Sequence, residues 1–156
     1  MPPAKKPPLD LSAGSILHIR GFQNNSGFAP KNKYLISVGW HSTHVILAFR
    51  ITSQNLYTQT NLARELVHIP SGTVGCLTKH SYIQCFHDVE RLDIGQLQAG
   101  WVANNVTTVG KHAACIATIH GVVQISDVLS PQDIADVLAA TPNAPPPQPP
   151  PPPAGP

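Results

Sequence analysis

Apolar and polar side chains alternate along much of the first half of the chain. In residues 33–40, Tyr34, Ile36, Val38 and Trp40 fall on one face and Lys33, Leu35, Ser37 and Gly39 on the other, the two-residue period of a strand. Residues 44–52 continue the pattern, with Val45, Leu47, Phe49 and Ile51 opposite His44, Ile46, Ala48, Arg50 and Thr52. Both of its faces carry apolar groups, so this segment predicts a long central strand. Residues 14–20, β-branched and flanked by Gly14 and Gly21, predict a first strand, and residues 66–69 and 82–85 two more, separated by Pro70, Ser71, Gly72 and Gly75. Between them, residues 21–32 (Asn24, Asn25, Ser26, Gly27, Pro30) and the amide-rich residues 53–61 predict loops. Short strands spaced by turn signals predict a small barrel.

Towards the C-terminus the period changes. Ala114, Ile116, Ala117, Ile119 and Val123 fit a helical stripe loosely, whereas Ser130-Pro131-Gln132-Asp133 supplies a capping hydroxyl, a proline for the first helical position and an early acid. Ile134, Val137 and Leu138 then make one apolar face. Residues 101–110 fit a strand or a loop equally well. The class that follows is mainly β with C-terminal helices.

Composition changes the picture at the ends. Ten of the 17 prolines lie between Pro142 and Pro156 and four more are Pro2, Pro3, Pro7 and Pro8. Segments so rich in proline bury too little apolar surface to offset ordering, so residues 1–10 and 142–156 are expected to be disordered, leaving residues 11–141 as one domain. The tail suits polyproline II, either a ligand for an aromatic-lined partner groove or a passive solvating segment. Charged residues make up 12% of the chain, about half the usual share, so a homo-oligomer that covers part of the surface becomes plausible. The net charge of +2 gives no polybasic stripe, which neither demands nor excludes nucleic acid. No apolar stretch follows Lys5 and Lys6, and no run of 18 apolar residues occurs, so neither signal peptide nor membrane span is predicted and a cytoplasmic location is expected. Three cysteines in such a chain are expected to be reduced.

Candidate chemistry is sparse. Cys76, His80, Cys85 and His87 form the densest ligand-type group, but there is no Cys-x2-Cys pair, His80 falls in a turn, and Cys85 and His87 are expected on one strand face. They read as core cysteines with turn histidines, so no metal and no cofactor is expected. Among the eight histidines, His41 and His44 flank a strand entry after Trp40, and His18 shares a face with Arg20. There is no glycine-rich phosphate loop, no Gly-x-Ser-x-Gly and no His-Glu-x-x-His.

The order of segments carries a resemblance. Gly14-Ser15-Ile16-Leu17 opens a strand, a long loop follows, the central strand closes on Arg50-Ile51-Thr52-Ser53, Ser81-Tyr82-Ile83 comes after a short loop, and Leu129-Ser130-Pro131-Gln132-Asp133-Ile134 looks like a capped last helix. This order resembles the PemK-like or MazF-like toxins of type II toxin-antitoxin systems. The resemblance implies an SH3-like barrel, a homodimer, and a metal-independent endoribonuclease that cuts single-stranded RNA and is silenced by an antitoxin protein. In such chemistry a 2′-hydroxyl attacks the adjacent phosphate, which calls for a base, a cation and an acid. The family's hydroxyl position falls on Thr52 and Ser53, and its Arg-Pro position on residues 31–33, where this chain reads Lys-Asn-Lys. The expected catalytic set is therefore Arg50, Thr52, Lys33 and His44, with Lys31, Arg20, Ser53 and His41 as RNA contacts. The alternative is a catalytically inactive barrel acting as a protein-binding or regulatory module.

Overall fold

In the computed structural model, residues 6–22, 31–54, 60–86 and 89–145 are described. The strands are β1 Ser15–Phe22, β2 Lys31–Trp40, β3 Val45–Thr52, β4 Leu66–Ile69, β5 Ser81–Gln84, β6 Glu90–Asp93 and β7 Val106–Lys111. The helices are α1 Ile94–Val102, α2 Cys115–Gln124 and α3 Pro131–Ala139, with a short 3-10 turn at Asn61–Glu65. The domain is mainly β with C-terminal helices, as its patterning predicts. Its seven strands make one antiparallel sheet in the order β4-β5-β3-β2-β1-β7, and β6 also pairs with β3.

The double-sided apolar pattern of β3 explains why it is central. Leu47, Phe49 and Ile51 enter the larger core, with Ile16 and Ile36 from β1 and β2 and with Ile119, Val123 and Val137 from α2 and α3. Ile46 and Ala48 enter a second core on the opposite face, with Leu17, Ile19, Leu35 and the α1 residues Ile94 and Leu97. The hydrogen-bonded path is open, and the barrel expectation is met only as a small curled sheet. Its curl brings the β4–β5 connection onto the far edge strand: a Cβ at Gly110 of β7 would lie 2.9 Å from Val74 Cγ1 and 3.0 Å from Cys76 Sγ. Glycine at this position is what admits the close approach.

One alternation fails within a strand. Tyr34, Ile36 and Val38 do share the larger core, but Trp40 packs with the second core instead. The β2–β3 register shifts between Ser37 and Gly39, and Gly39 sits at φ 124, so the inserted residue turns the strand's end over. Residues 6–10, expected outside the folded body, pack against it. Lys6 Nζ lies 4.1 Å from the Trp101 ring centroid, Trp101 Nε1 donates to the Pro7 carbonyl at 3.1 Å, and the Asp10 amide donates to Thr108 Oγ1 at 2.8 Å. A cation over an indole face offsets part of the ordering cost that proline-rich composition alone would leave uncompensated. Late in the chain, residues 101–110 split into the end of α1, a turn and β7, and the loosely helical stripe around Ile119 is the helix α2. Among the described residues no helix is long and apolar enough to cross a membrane.

Candidate functional site

At one end of the sheet an open cleft of ≈ 420 Å³ lies between β2, the end of β3 and the β4–β5 connection. Its walls are Asn32, Lys33 and Tyr34, then Ile51, Thr52, Ser53 and Gln54, then Cys76, Leu77, Thr78, Lys79 and Ser81. Strand alternation explains the mixture: Ile51 and Leu77 belong to the core, and the polar side chains beside them form the opening. Thr52 Oγ1 accepts from the Gln54 amide at 3.1 Å, which leaves its hydroxyl proton free to donate. Ser81 is held differently, its hydroxyl donating to the Lys79 carbonyl at 3.1 Å, and this contact braces the turn that presents Lys79. Among the described residues, neither Lys33 nor Lys79 has a carboxylate partner and no Asp or Glu lines the cleft.

The cleft therefore gathers part of the expected set, namely Lys33, Thr52 and Ser53. Arg50 stands two residues from Thr52 on the same strand face, yet its Nε donates to Glu90 Oε1 at 3.0 Å, so the guanidinium is directed to β6 and away from the cleft. His41 and His44 are exposed in the β2–β3 turn at the other end of the strand. Eight residues at about 3.3 Å each put His44 some 26 Å from Thr52 along β3, too far to share one phosphate. Arg20 is exposed on β1, outside the cleft lining, and its amide donates to the Asn105 carbonyl. Lys31 opens β2 opposite Phe22.

Lys79 and Thr78 were not singled out by the sequence. The signal that could have found them is the polar run Thr78-Lys79-His80-Ser81 set between the buried Leu77 and the strand β5, which puts a lysine in a turn at a sheet end. Comparison with family models, with curated proteins and with solved structures finds no match for this chain.

Among the described residues no three of the histidines, cysteines and acids come together as metal ligands, Cys76, His80 and Cys85 included. Cys85 is buried in the larger core, where burial pushes its thiol well above the ordinary range, and Cys115, in the same core, is pushed up to about 11 for the same reason. Cys76 is half-buried in the cleft wall, its thiol also raised by burial. His80 Nδ1 pairs instead with His68 Nε2 at 2.9 Å, and His87 lies outside the described residues. Strand β5 ends at Gln84, so Cys85 lies just past the strand on which it was expected.

Proposed function

We propose that the cleft binds the phosphate backbone of single-stranded RNA. What supports this most is the pair Lys33 and Lys79, two cations without carboxylate partners among the described residues, facing a cleft whose other polar walls are hydroxyls and amides. A phosphate diester offers two acceptor oxygens. Two ammonium groups can answer its charge, while Thr52, Ser53 and Gln54 supply neutral donors.

A second reading, metal-independent cleavage of that RNA under the control of an antitoxin protein, is favoured by one adjacency. Tyr34 pairs with Ile51, so Lys33 sits beside Thr52 on neighbouring strands. In that reading the 2′-oxygen bonds to phosphorus as the P–O5′ bond breaks, and solvent water takes the 2′ proton and returns one to the 5′-oxygen. Lys33 and Lys79 stabilise the charge that develops on the phosphate, and the Thr52 hydroxyl donates to a non-bridging oxygen. Arg50, bound to Glu90, plays no part.

Both readings are tested by measuring binding of a labelled single-stranded RNA over a range of salt and, in EDTA, its cleavage. Lys33→Ala and Lys79→Ala are each expected to weaken binding and to reduce the slope of log K against log salt by about 0.7, the value for one lost phosphate contact on a single strand. Arg50→Ala should leave the slope unchanged. Bound RNA should slow alkylation of Cys76 and leave Cys85 and Cys115 as slow as before. Binding that ignores salt and both lysines would refute the proposal. Cleavage that falls at least ten-fold in Thr52→Ala, about 1.4 kcal/mol of transition-state stabilisation, would establish the second reading. Binding without cleavage would exclude it.

A further inference from the structure

Beside the cleft, a row of side chains crosses the sheet that phosphate binding uses only in part. His68 on β4 is the register partner of Tyr82 on β5, and Tyr82 is the partner of Thr52 on β3. The pairing of Tyr34 with Ile51 puts Lys33 of β2 next in line. Cross-strand partners share a face. The residues one step along each strand, Val67, Ile83 and Ile51, are buried in the larger core, so this row lies on the opposite side of the sheet.

The rings in the row are already stacked. His68 and Tyr82 have centroids 5.1 Å apart at an interplanar angle of 19°. The ring of His80 meets His68 edge to edge, its Nδ1 2.9 Å from His68 Nε2, and holds that ring in place. His68 and His80 are exposed and Tyr82 is half-buried, so the group stands at the surface instead of filling a core. One face of Tyr82 is taken by His68, and the other is turned along the row towards Thr52 and Lys33, two residues that also line the cleft.

We infer that the His68–Tyr82 pair, held at its edge by His80, is a stacking platform for a nucleobase, and that a base of the RNA strand whose phosphate lies at Lys33 stacks on the face of Tyr82 turned away from His68. The inference rests on the RNA reading of the cleft. Single-stranded RNA, the occupant of the cleft reading, brings a flat π-surface and a phosphate on every repeating unit, matching a ring and a lysine two strands, about 10 Å, apart. Rings already held against one another lose little further freedom when a base is added. Stacking of this kind is tolerant of sequence, so the platform would add affinity without choosing a base.

The test compares ten-nucleotide oligouridylate with a ribose-phosphate oligomer of equal length and charge that lacks bases, against wild type, Tyr82→Leu and Tyr82→Phe. Wild type is expected to bind oligouridylate about ten-fold more tightly than the baseless strand. Tyr82→Leu should abolish that preference with its salt slope unchanged, and Tyr82→Phe, which keeps the ring, should retain it. A preference that survives Tyr82→Leu overturns the platform, as does equal affinity of wild type for the two strands. In either case salt-dependent binding of the baseless strand would leave the lysine cleft standing. Failure of wild type to bind either strand would remove the cleft reading and the platform together.

Discussion

Gly39 shows how much of the fold can hang on one residue. Its backbone sits at φ 124, and a Cβ there would come within 2.5 Å of the Thr141 carbonyl oxygen. The close approach exists because Trp40 and Thr141 exchange backbone hydrogen bonds, Trp40 N to Thr141 O at 2.7 Å and Thr141 N to Trp40 O at 3.0 Å. A side chain at position 39 must therefore either break this bridge or force β2 out of its bulge, and Trp40 would lose its place in the second core. Gly39→Ala is expected to cost on the order of 2–3 kcal/mol, seen as a lower urea midpoint with an unchanged slope. An unshifted midpoint would mean that the bulge relaxes freely. In the sequence Gly39 looked like one more polar-face position in an alternating strand. Alternation carries no mark of a bulge, and for that reason Trp40 was assigned to the wrong face.

Among the elements, those that make their own case locally were the legible ones. Helix α3 was readable because its signals lie within four residues: the Ser130 hydroxyl accepts from the Asp133 amide at 3.1 Å, and Pro131 opens the first turn. Strand β3 was readable because it buries both faces. Strand β6 and helix α1 were not, since β6 has only four residues and its last, Asp93, is already the α1 cap, accepting from the Gln96 amide. Candidate-site residues followed the same division. Lys33 and Thr52 were placed by their strands, whereas Lys79 reaches the cleft only through the curl of the sheet, and Arg50 was lost to Glu90, a partner 40 residues away.

Helix α3 is also tied across the molecule, with Arg91 of β6 donating to Asp133 at 2.9 Å and Asp136 at 2.7 Å. The Arg91 guanidinium, with help from Gln132, holds the Asp136 carboxyl below the ordinary aspartate value of 3.8. A carboxyl depressed in the folded state binds its proton more readily once unfolded, so its contribution is fully present above that ordinary value and is lost as pH falls through the lower folded one. Asp136→Asn should therefore destabilise the protein at pH 7 by no more than about 1 kcal/mol, the scale of a partly exposed ion pair. The gap from wild type, read from thermal melts, should narrow as pH falls below the ordinary aspartate value of 3.8 and close once the lowered folded value is passed. A gap independent of pH would assign the loss to packing instead.

On the scale of the whole molecule, the sheet has two cores because β3 is apolar on both sides, and its active-looking end lies where those cores run out. Polar groups collect there for the same reason that the strands stop. The segments before β1 and after α3 meet elsewhere, through the amide of Ala13 donating to the Pro142 carbonyl at 2.9 Å. That single clasp makes the folded body a ring in all but covalent connectivity. The order in which its pieces are synthesised should accordingly be free to change: a circular permutant that keeps residues 6–12, joins position 142 to position 6 through a glycine–serine linker long enough to span them and opens at the exposed Ser71–Gly72 turn should fold with a melting temperature within a few degrees of the parent. Failure to fold would mean that β1 must be made before β7 for the sheet to find its register.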